Sequence, residues 1–398
     1  MEFIREQNKK KPINKKKLAK KISPIVLAIL ALGIVIFAVA DWKQTQASNA
    51  ALETEGQTEE STEEIVLTPN ISLTISDYQS LQNALHEIGQ NVNKSIVTIA
   101  KSAGEEENDW LEESYESDWQ FSGYIVSQDN DYIYVLAETR MLEDIDNIKV
   151  VFVDGASAKA TVLKTDERTG FAVLTVEKRL MQAETRRAIS IAKMGDSDTV
   201  ASGAVMIALG SPLGTNYAIL SGNVTSVDNK VSTKDKNYAL LTTDIITSRN
   251  GSGILVDING EIVGFVAQKF AGSEEVGALT AVSVNGVKHM MESMIAGKDR
   301  PYVGLYVTTV TETIAKEHNL PEGVFVKEVV TESPAMKAGL QSGDVIVKIN
   351  DTVIHTDAQF SEKIEKLIPG TTCEIQVKRQ SADGYYDVTC EVEIGIMK

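Results

Sequence analysis

The run Thr243-Asp244-Ile245-Ile246-Thr247-Ser248-Arg249-Asn250-Gly251-Ser252-Gly253 lies between two short apolar runs, Ala239-Leu240-Leu241 and Ile254-Leu255-Val256. A serine on a glycine-rich bend between strands has the outline of a loop that presents a nucleophile. A serine hydroxyl is weak at neutral pH and needs a neighbouring base, itself held by a third group. Histidine is the usual base, and the chain has four: His86, His289, His318 and His355. His86 lies on a segment where Leu81, Leu85, Ile88 and Val92 recur at helical spacing, and His289 on a helix-like stretch before Gly297. His318 and His355 belong to a separate C-terminal part. None falls among the strands between positions 95 and 284, so the serine stands without its expected base.

Working outward, short β-branched and aromatic runs alternate with Gly, Asp and Asn turns. Tyr124-Ile125-Val126, Tyr132-Ile133-Tyr134-Val135, Val150-Val151-Phe152-Val153 and Ala172-Val173-Leu174 come before the loop's own barrel, and Ala204-Val205-Met206-Ile207 and Ile262-Val263-Gly264-Phe265 frame it. Strands at this spacing predict an all-β barrel or sandwich, and the length suits two six-stranded barrels.

With 398 residues, 43% of them hydrophobic, the chain is long enough for two or three domains. The formal charge of −17 is unevenly spread: the segment 1–21 carries nine Lys and Arg against Glu2 and Glu6, and the rest is strongly acidic. An acidic body argues against nucleic acid as a partner, because a polyanion is bound by clustered cations. The stretch 22–40, ISPIVLAILALGIVIFAVA, is uncharged and close to the ~20 residues that span a bilayer as a helix. Lysines before it and Asp41 after it predict a single-pass anchor with a cytoplasmic N-terminus and an extracytoplasmic body. Ala38-Val39-Ala40 offers the rival reading of a cleaved signal peptide. The apolar core exceeds the ~7–15 residues of such a signal, which favours the anchor, and either reading exports the body.

The segment 41–76 is polar, acidic and poor in large apolar residues, as expected of a disordered linker, and Ser76 is the expected cap of a helix ending near Asn93. A second acidic run, 105–118, carries Trp110 and Tyr115, with Trp119 just beyond; it reads as a surface loop, or as a docking site using aromatics among charges. Cys373 and Cys390 fall on the arms of an expected hairpin turning near Asp383-Gly384, on one face but offset, which disfavours a bridge. No cofactor or metal is expected, since the histidines are scattered and no His/Cys ligand spacing occurs.

From position 77 onward the landmarks occur in a telling order: Ser122-Gly123, Asn147-Ile148-Lys149-Val150 leading to Asp154-Gly155, Ala208-Leu209-Gly210-Ser211-Pro212-Leu213-Gly214, and Arg300-Pro301-Tyr302-Val303-Gly304-Leu305. This pattern resembles the HtrA/DegP family of trypsin-like serine proteases. The resemblance implies a mainly β chain: a double six-stranded barrel over 77–297 and one PDZ domain over 298–398, preceded by the tail 1–21, the transmembrane helix 22–40 and the linker 41–76. The family's histidine motif is similar to T-x-x-H-V-V, and Arg140-Met141-Leu142 takes the H-V-V positions. Arginine stays protonated and cannot act as a base. Asp166-Glu167-Arg168-Thr169-Gly170-Phe171-Ala172-Val173-Leu174 matches the family's D-x-x-T-D-L-A-V-L, with Gly170 in place of the orienting carboxylate. The nucleophile loop is one residue short: aligned from Thr243 the serine falls on Ser252, aligned back from Leu255 the position falls on Gly251.

The C-terminal part resembles a permuted bacterial PDZ domain, through Leu320-Pro321-Glu322-Gly323-Val324-Phe325-Val326, Ser333-Pro334-Ala335-Met336-Lys337-Ala338-Gly339-Leu340 and Ser342-Gly343-Asp344-Val345-Ile346. The resemblance implies that Tyr302, Val303, Gly304 and Leu305 form the loop that captures a terminal carboxylate and that 305–310 is the receiving edge. On the helix opening near Asp357, Phe360, Ile364 and Leu367 recur on one face, which could be plain core, and Phe360 and Ile364 are the expected groove contacts. It also implies unfolded or C-terminal protein segments as partners, and a homotrimer or an assembly with an intact homologue. The expected function is a membrane-anchored pseudoprotease acting as adaptor, chaperone or regulator in envelope protein quality control. The alternative is an active HtrA-like endopeptidase using Ser252 with a noncanonical base.

Overall fold

A computed structural model describes residues 73–101, 121–142, 148–272 and 277–397. The expected anchor, the linker up to residue 72 and the acidic run 105–118 lie outside the described residues. Among those described, no helix is long and apolar enough to cross a membrane.

The first helix spans Ile75–Asn93, and its N-cap is Thr74, not Ser76 as expected. The reason is a capping box: the Thr74 hydroxyl accepts from the Asp77 N–H, while the Asp77 carboxylate accepts from the Thr74 N–H. The helix leads into a closed barrel of β1 (Ile96–Lys101), β2 (Phe121–Gln128), β3 (Tyr132–Glu138), β4 (Ile148–Val151), β5 (Ser157–Asp166) and β6 (Phe171–Glu177), ordered β1-β2-β3-β6-β5-β4.

A second sheet follows with β7 (Val205–Ser211), β8 (Ala218–Ser226), β9 (Lys230–Thr233), β10 (Lys236–Ile246), β11 (Ser252–Val256), β12 (Ile262–Val266) and β13 (Ala278–Ser283). Its order is β13-β12-β11-β7-β8-β10-β9, and β13 also pairs with β10, which closes six strands into a ring and leaves β9 outside as the free arm of a hairpin. The two expected barrels are therefore present, with one strand more than expected.

Side chains alternate faces along a strand, so a strand buried on both faces reads as an unbroken apolar run. In β7, Met206 and Ala208 face the core of the second barrel, while Ile207 and Leu209 face a cluster shared with the first. That shared cluster packs Tyr124, Leu136, Phe171 and Val173 from the first barrel against Ile254 and Phe265 from the second. The helix Val284–Ile295 closes it with Val287, Met290, Met291 and Met294. Each such side chain contributes about 1.5–3 kcal/mol by leaving water, so the two barrels are locked across the seam on which a cleft can form.

The remaining chain forms the PDZ unit. β15 (Leu305–Val310), β16 (Gly323–Val329), β17 (Val345–Ile349), β19 (Thr372–Ser381) and β20 (Gly384–Glu393) make its sheet, with β18 (Thr352–Val353) on β17 and β15 at an edge. β14 (Pro301–Tyr302) pairs with β21 (Gly395–Ile396). Cys373 lies opposite Val392 and Cys390 opposite Ile375, an offset of two residue pairs along the same face, and both thiols are free and buried.

Candidate active-site cleft and peptide-binding loop

Arg140 sits on the short turn Thr139–Met141 that ends β3, where it reaches across the seam between the barrels. Its Nε donates to Glu138 Oε2 at 2.6 Å, Nη1 to Asn250 Oδ1 at 3.3 Å, and Nη2 to the carbonyl of Gly251 at 3.2 Å. Burial pushes the Glu138 carboxyl above its ordinary pKa, against the pull of Arg140 and Lys269. The guanidinium is thus tied to β3 on one side and to the loop 247–251 on the other.

Gly170 lies in the turn joining β5 to β6 at φ +71°, and its carbonyl accepts from the Thr139 N–H at 2.7 Å. A Cβ built there would stand 2.5 Å from Lys269 Nζ. Lys269 therefore occupies the space into which a side chain at position 170 would project. Partial desolvation lowers its pKa, opposed by Asp166 and Glu138, and its ammonium lies 4.6 Å from the centre of the Phe270 ring. Nothing in the local sequence around Lys269 marks it for this place.

The loop 247–251 is closed on itself. Gly251 N–H donates to Ser248 O at 2.9 Å, and Ser248 N–H to Pro212 O at 2.8 Å. In a serine protease the nucleophile's own N–H is one of the oxyanion donors, and in this turn the Gly251 donor is already taken. A Cβ on Gly251 would fall within 3.0 Å of both Thr247 Oγ1 and Pro212 O. Ser252 is the first residue of β11, in register with Ser211 of β7, and is 1% exposed. Its hydroxyl meets hydrogen-bond geometry with no described group and lies beside the Tyr124 phenol, whose own pKa burial drives well up.

A cleft of about 570 Å³ opens over this region, lined by Arg140, Thr247, Ser248, Arg249, Asn250 and Lys269 among others. None of the four histidines lines it. His86 is paired with Gln90 on the first helix, and His289 Nδ1 is 3.9 Å from Glu365 at the contact between barrel and PDZ unit. Arg140, Arg249 and Lys269 place three cationic side chains on its walls. Among the described residues no cluster of His, Cys, Asp or Glu could hold a metal.

In the PDZ unit, the N–H groups of Val303, Gly304 and Leu305 point to one place and donate to the carboxylate of Asp235, at 2.9, 2.8 and 2.8 Å. Gly304 has φ +93°, and a Cβ on it would collide with Ser333, so the turn that aims these donors requires glycine. Tyr302 is half-buried beside them. Phe360 and Ile364, on the helix Asp357–Glu365, are fully buried in one cluster with Val303 and Leu305.

Asp235 lies on the β9–β10 turn and is buried. Burial raises its carboxyl above the ordinary range, while Arg168 and the three N–H groups pull against that rise. No local motif marks Asp235, because Lys234-Asp235-Lys236-Asn237 has the composition of any solvated turn.

Two interlocked barrels with a seam cleft, followed by a PDZ unit whose N–H loop binds a carboxylate, define a trypsin-like peptidase scaffold joined to a peptide-recognition domain. Residues 121–265 match the trypsin-like peptidase domain, and residues 301–392 match the PDZ domain. The chain is 28% identical over 282 residues to a probable periplasmic serine endoprotease DegP-like of Pseudomonas fulva (strain 12-X), covering 69% of this chain and 56% of that protein. It is 29% identical over 278 residues to the serine protease Do-like HtrB of Bacillus subtilis (strain 168), covering 65% of this chain and 59% of that one. The chain thus spans somewhat over half the length of these curated relatives. Among solved structures, the HtrA-type protease AlgW with decapeptide superposes with a TM-score of 0.58 at 20% identity, over 79% of this chain and 99% of that one. The serine endoprotease from Yersinia pestis gives 0.53 at 21%, over 79% and 98%. The chain thus joins a trypsin-like peptidase domain to a PDZ domain and is similar to DegP- and HtrA-type serine proteases.

Proposed function

We propose that this chain is an HtrA-family pseudoprotease. It is exported, held at the cell membrane by the segment 22–40, and binds exposed or C-terminal peptide segments through its PDZ domain as an adaptor, chaperone or regulator of envelope protein quality control. One observation carries the reading: the Arg140 guanidinium stands on the carbonyl of Gly251, so a permanent cation faces a residue with no side chain where base and nucleophile would meet. The periplasmic assignment of the DegP-like relatives supports an extracytoplasmic body.

The competing reading, an endopeptidase using Ser252, would draw its base from a lysine such as Lys269, whose lowered pKa favours that role. Against it, the Ser252 hydroxyl is buried at the start of β11 and bonds to no described base.

The test is binding without turnover. The full-length chain is mixed with a labelled peptide ending in a free carboxylate and with the same peptide as its C-terminal amide. The free acid is expected to bind, the amide to bind at least about tenfold more weakly through loss of the charge-assisted contacts, and the bound peptide to be recovered intact by mass spectrometry. Equal binding of acid and amide, or recovery of cleaved peptide, contradicts the proposal.

A further inference from the structure

Three converging N–H groups on a glycine turn beside a sheet edge are a receptor for the end of an extended chain, and in this molecule another part of the same chain already sits there. Asp235 presents its side-chain carboxylate to Val303, Gly304 and Leu305. Its own N–H donates to Leu305 O at 2.7 Å, and its carbonyl accepts from Ser361 Oγ at 2.9 Å, so it is gripped from both walls, the β15 edge and the helix Asp357–Glu365. Two residues further on, Asn237 Nδ2 donates to Val307 O at 3.1 Å and to Asp357 Oδ2 at 2.5 Å. Between them Lys236 Nζ lies 2.7 Å from Glu365 Oε1. The Leu305 contact is main chain to main chain and the Val307 contact comes from the Asn237 side chain, so the turn covers both the N–H loop and the start of the β15 edge.

An ordinary domain contact would not need this arrangement. Polar surfaces meet through scattered side chains, whereas three buried N–H donors aimed at one point are satisfied by an anion and by little else. The turn is also shaped for the task, since Asp235 adopts the left-handed conformation at φ +62°, which turns its carboxylate into the loop.

We propose that the β9–β10 turn is an intramolecular surrogate for a C-terminal peptide, and that the PDZ groove admits a free carboxylate only when Asp235 leaves it. This rests on the peptide-binding reading above. Surrogate and peptide compete for the same donors, so apparent affinity falls by the fraction of molecules with the loop free. Binding must in turn release the hairpin and loosen the Lys236–Glu365 contact between barrel and PDZ unit. Strand β10 runs from this turn, at Lys236, to Ile246, next to the loop 247–251.

The test compares the full-length wild type with Asp235→Asn, which keeps the shape and removes the charge, and Asp235→Gly, which accepts the left-handed turn. Binding of the labelled free-acid peptide is measured beside hydrogen exchange of the Val303, Gly304 and Leu305 amides, which reports hairpin departure whether or not a peptide binds. The proposal expects faster exchange in both variants and free-acid binding at least about tenfold tighter than wild type, corresponding to a loop free in about a tenth of wild-type molecules. Faster exchange with unchanged affinity overturns the surrogate while leaving peptide binding intact. Exchange that rises while no variant binds the free acid overturns the peptide-binding reading, and the surrogate role falls with it.

Discussion

The triple variant Arg140→His, Gly170→Asp, Gly251→Ser is expected to leave unfolded casein uncleaved and to be less stable than the parent. Placing those residue types there does not build a working site, because the turn around Gly251 is closed and leaves no room for a side chain. A serine side chain at 251 would overlap Thr247 and the Pro212 carbonyl, and relieving that means reopening a turn closed by the Gly251–Ser248 and Ser248–Pro212 hydrogen bonds. Overpacking of this kind costs about 1–3 kcal/mol. An aspartate at 170 would take up a left-handed conformation at a cost of about 1–2 kcal/mol, and its carboxylate would meet the Lys269 ammonium before any histidine. An intact triad accounts for about a millionfold in turnover, so casein hydrolysis is a sensitive readout. Recovery of even a small fraction of that activity would show that the loop can still adopt the productive turn.

What the sequence reveals and what it hides differ in range. Alternating and continuous apolar runs locate the strands of both barrels, because burial on one face or two leaves a local mark on residues such as Ile207 and Leu209. The expectations at Arg140 and Gly170 rest on short motifs around them. The choice between Gly251 and Ser252 is not, since it depends on the register of β11 against β7, where Ser252 pairs with Ser211 some forty residues earlier. Lys269 and Asp235 are equally silent: each gains its role from partners distant in sequence, Gly170 for one and the 303–305 loop for the other. Even the first helix shows the limit, as Thr74 and Ser76 are both plausible caps until the reciprocal bond to Asp77 selects Thr74.

Arg300→Ala is expected to destabilise the folded chain by about 3 kcal/mol, the lower end of the cost of breaking a buried ion pair. Arg300 donates to Asp166 Oδ1 at 2.5 Å and to Glu365 Oε1 at 3.3 Å, tying the first barrel to the helix Asp357–Glu365 of the PDZ unit. Its side chain is 6% exposed and that of Asp166 1%, so removal strands a carboxylate away from water. Thr169 and Arg168 remain beside Asp166 and soften the loss. The contrast is Lys164→Ala, whose partner Asp299 is half-exposed and whose pairing is worth under about 1 kcal/mol. Denaturant unfolding of the two variants side by side checks the difference; equal stabilities would mean that the Arg300 network does not hold barrel and PDZ unit together.

The most direct measurement exposes the full-length chain, and Ser252→Ala beside it, to a serine-reactive fluorophosphonate probe in the presence of unfolded casein. With Gly251 in a closed turn, Arg140 upon it and Ser252 sealed into β11, the expected result is no labelling of either protein and intact casein. Labelling and cleavage that appear in the wild type and vanish with Ser252→Ala would contradict the account and establish a working serine with an unrecognised base.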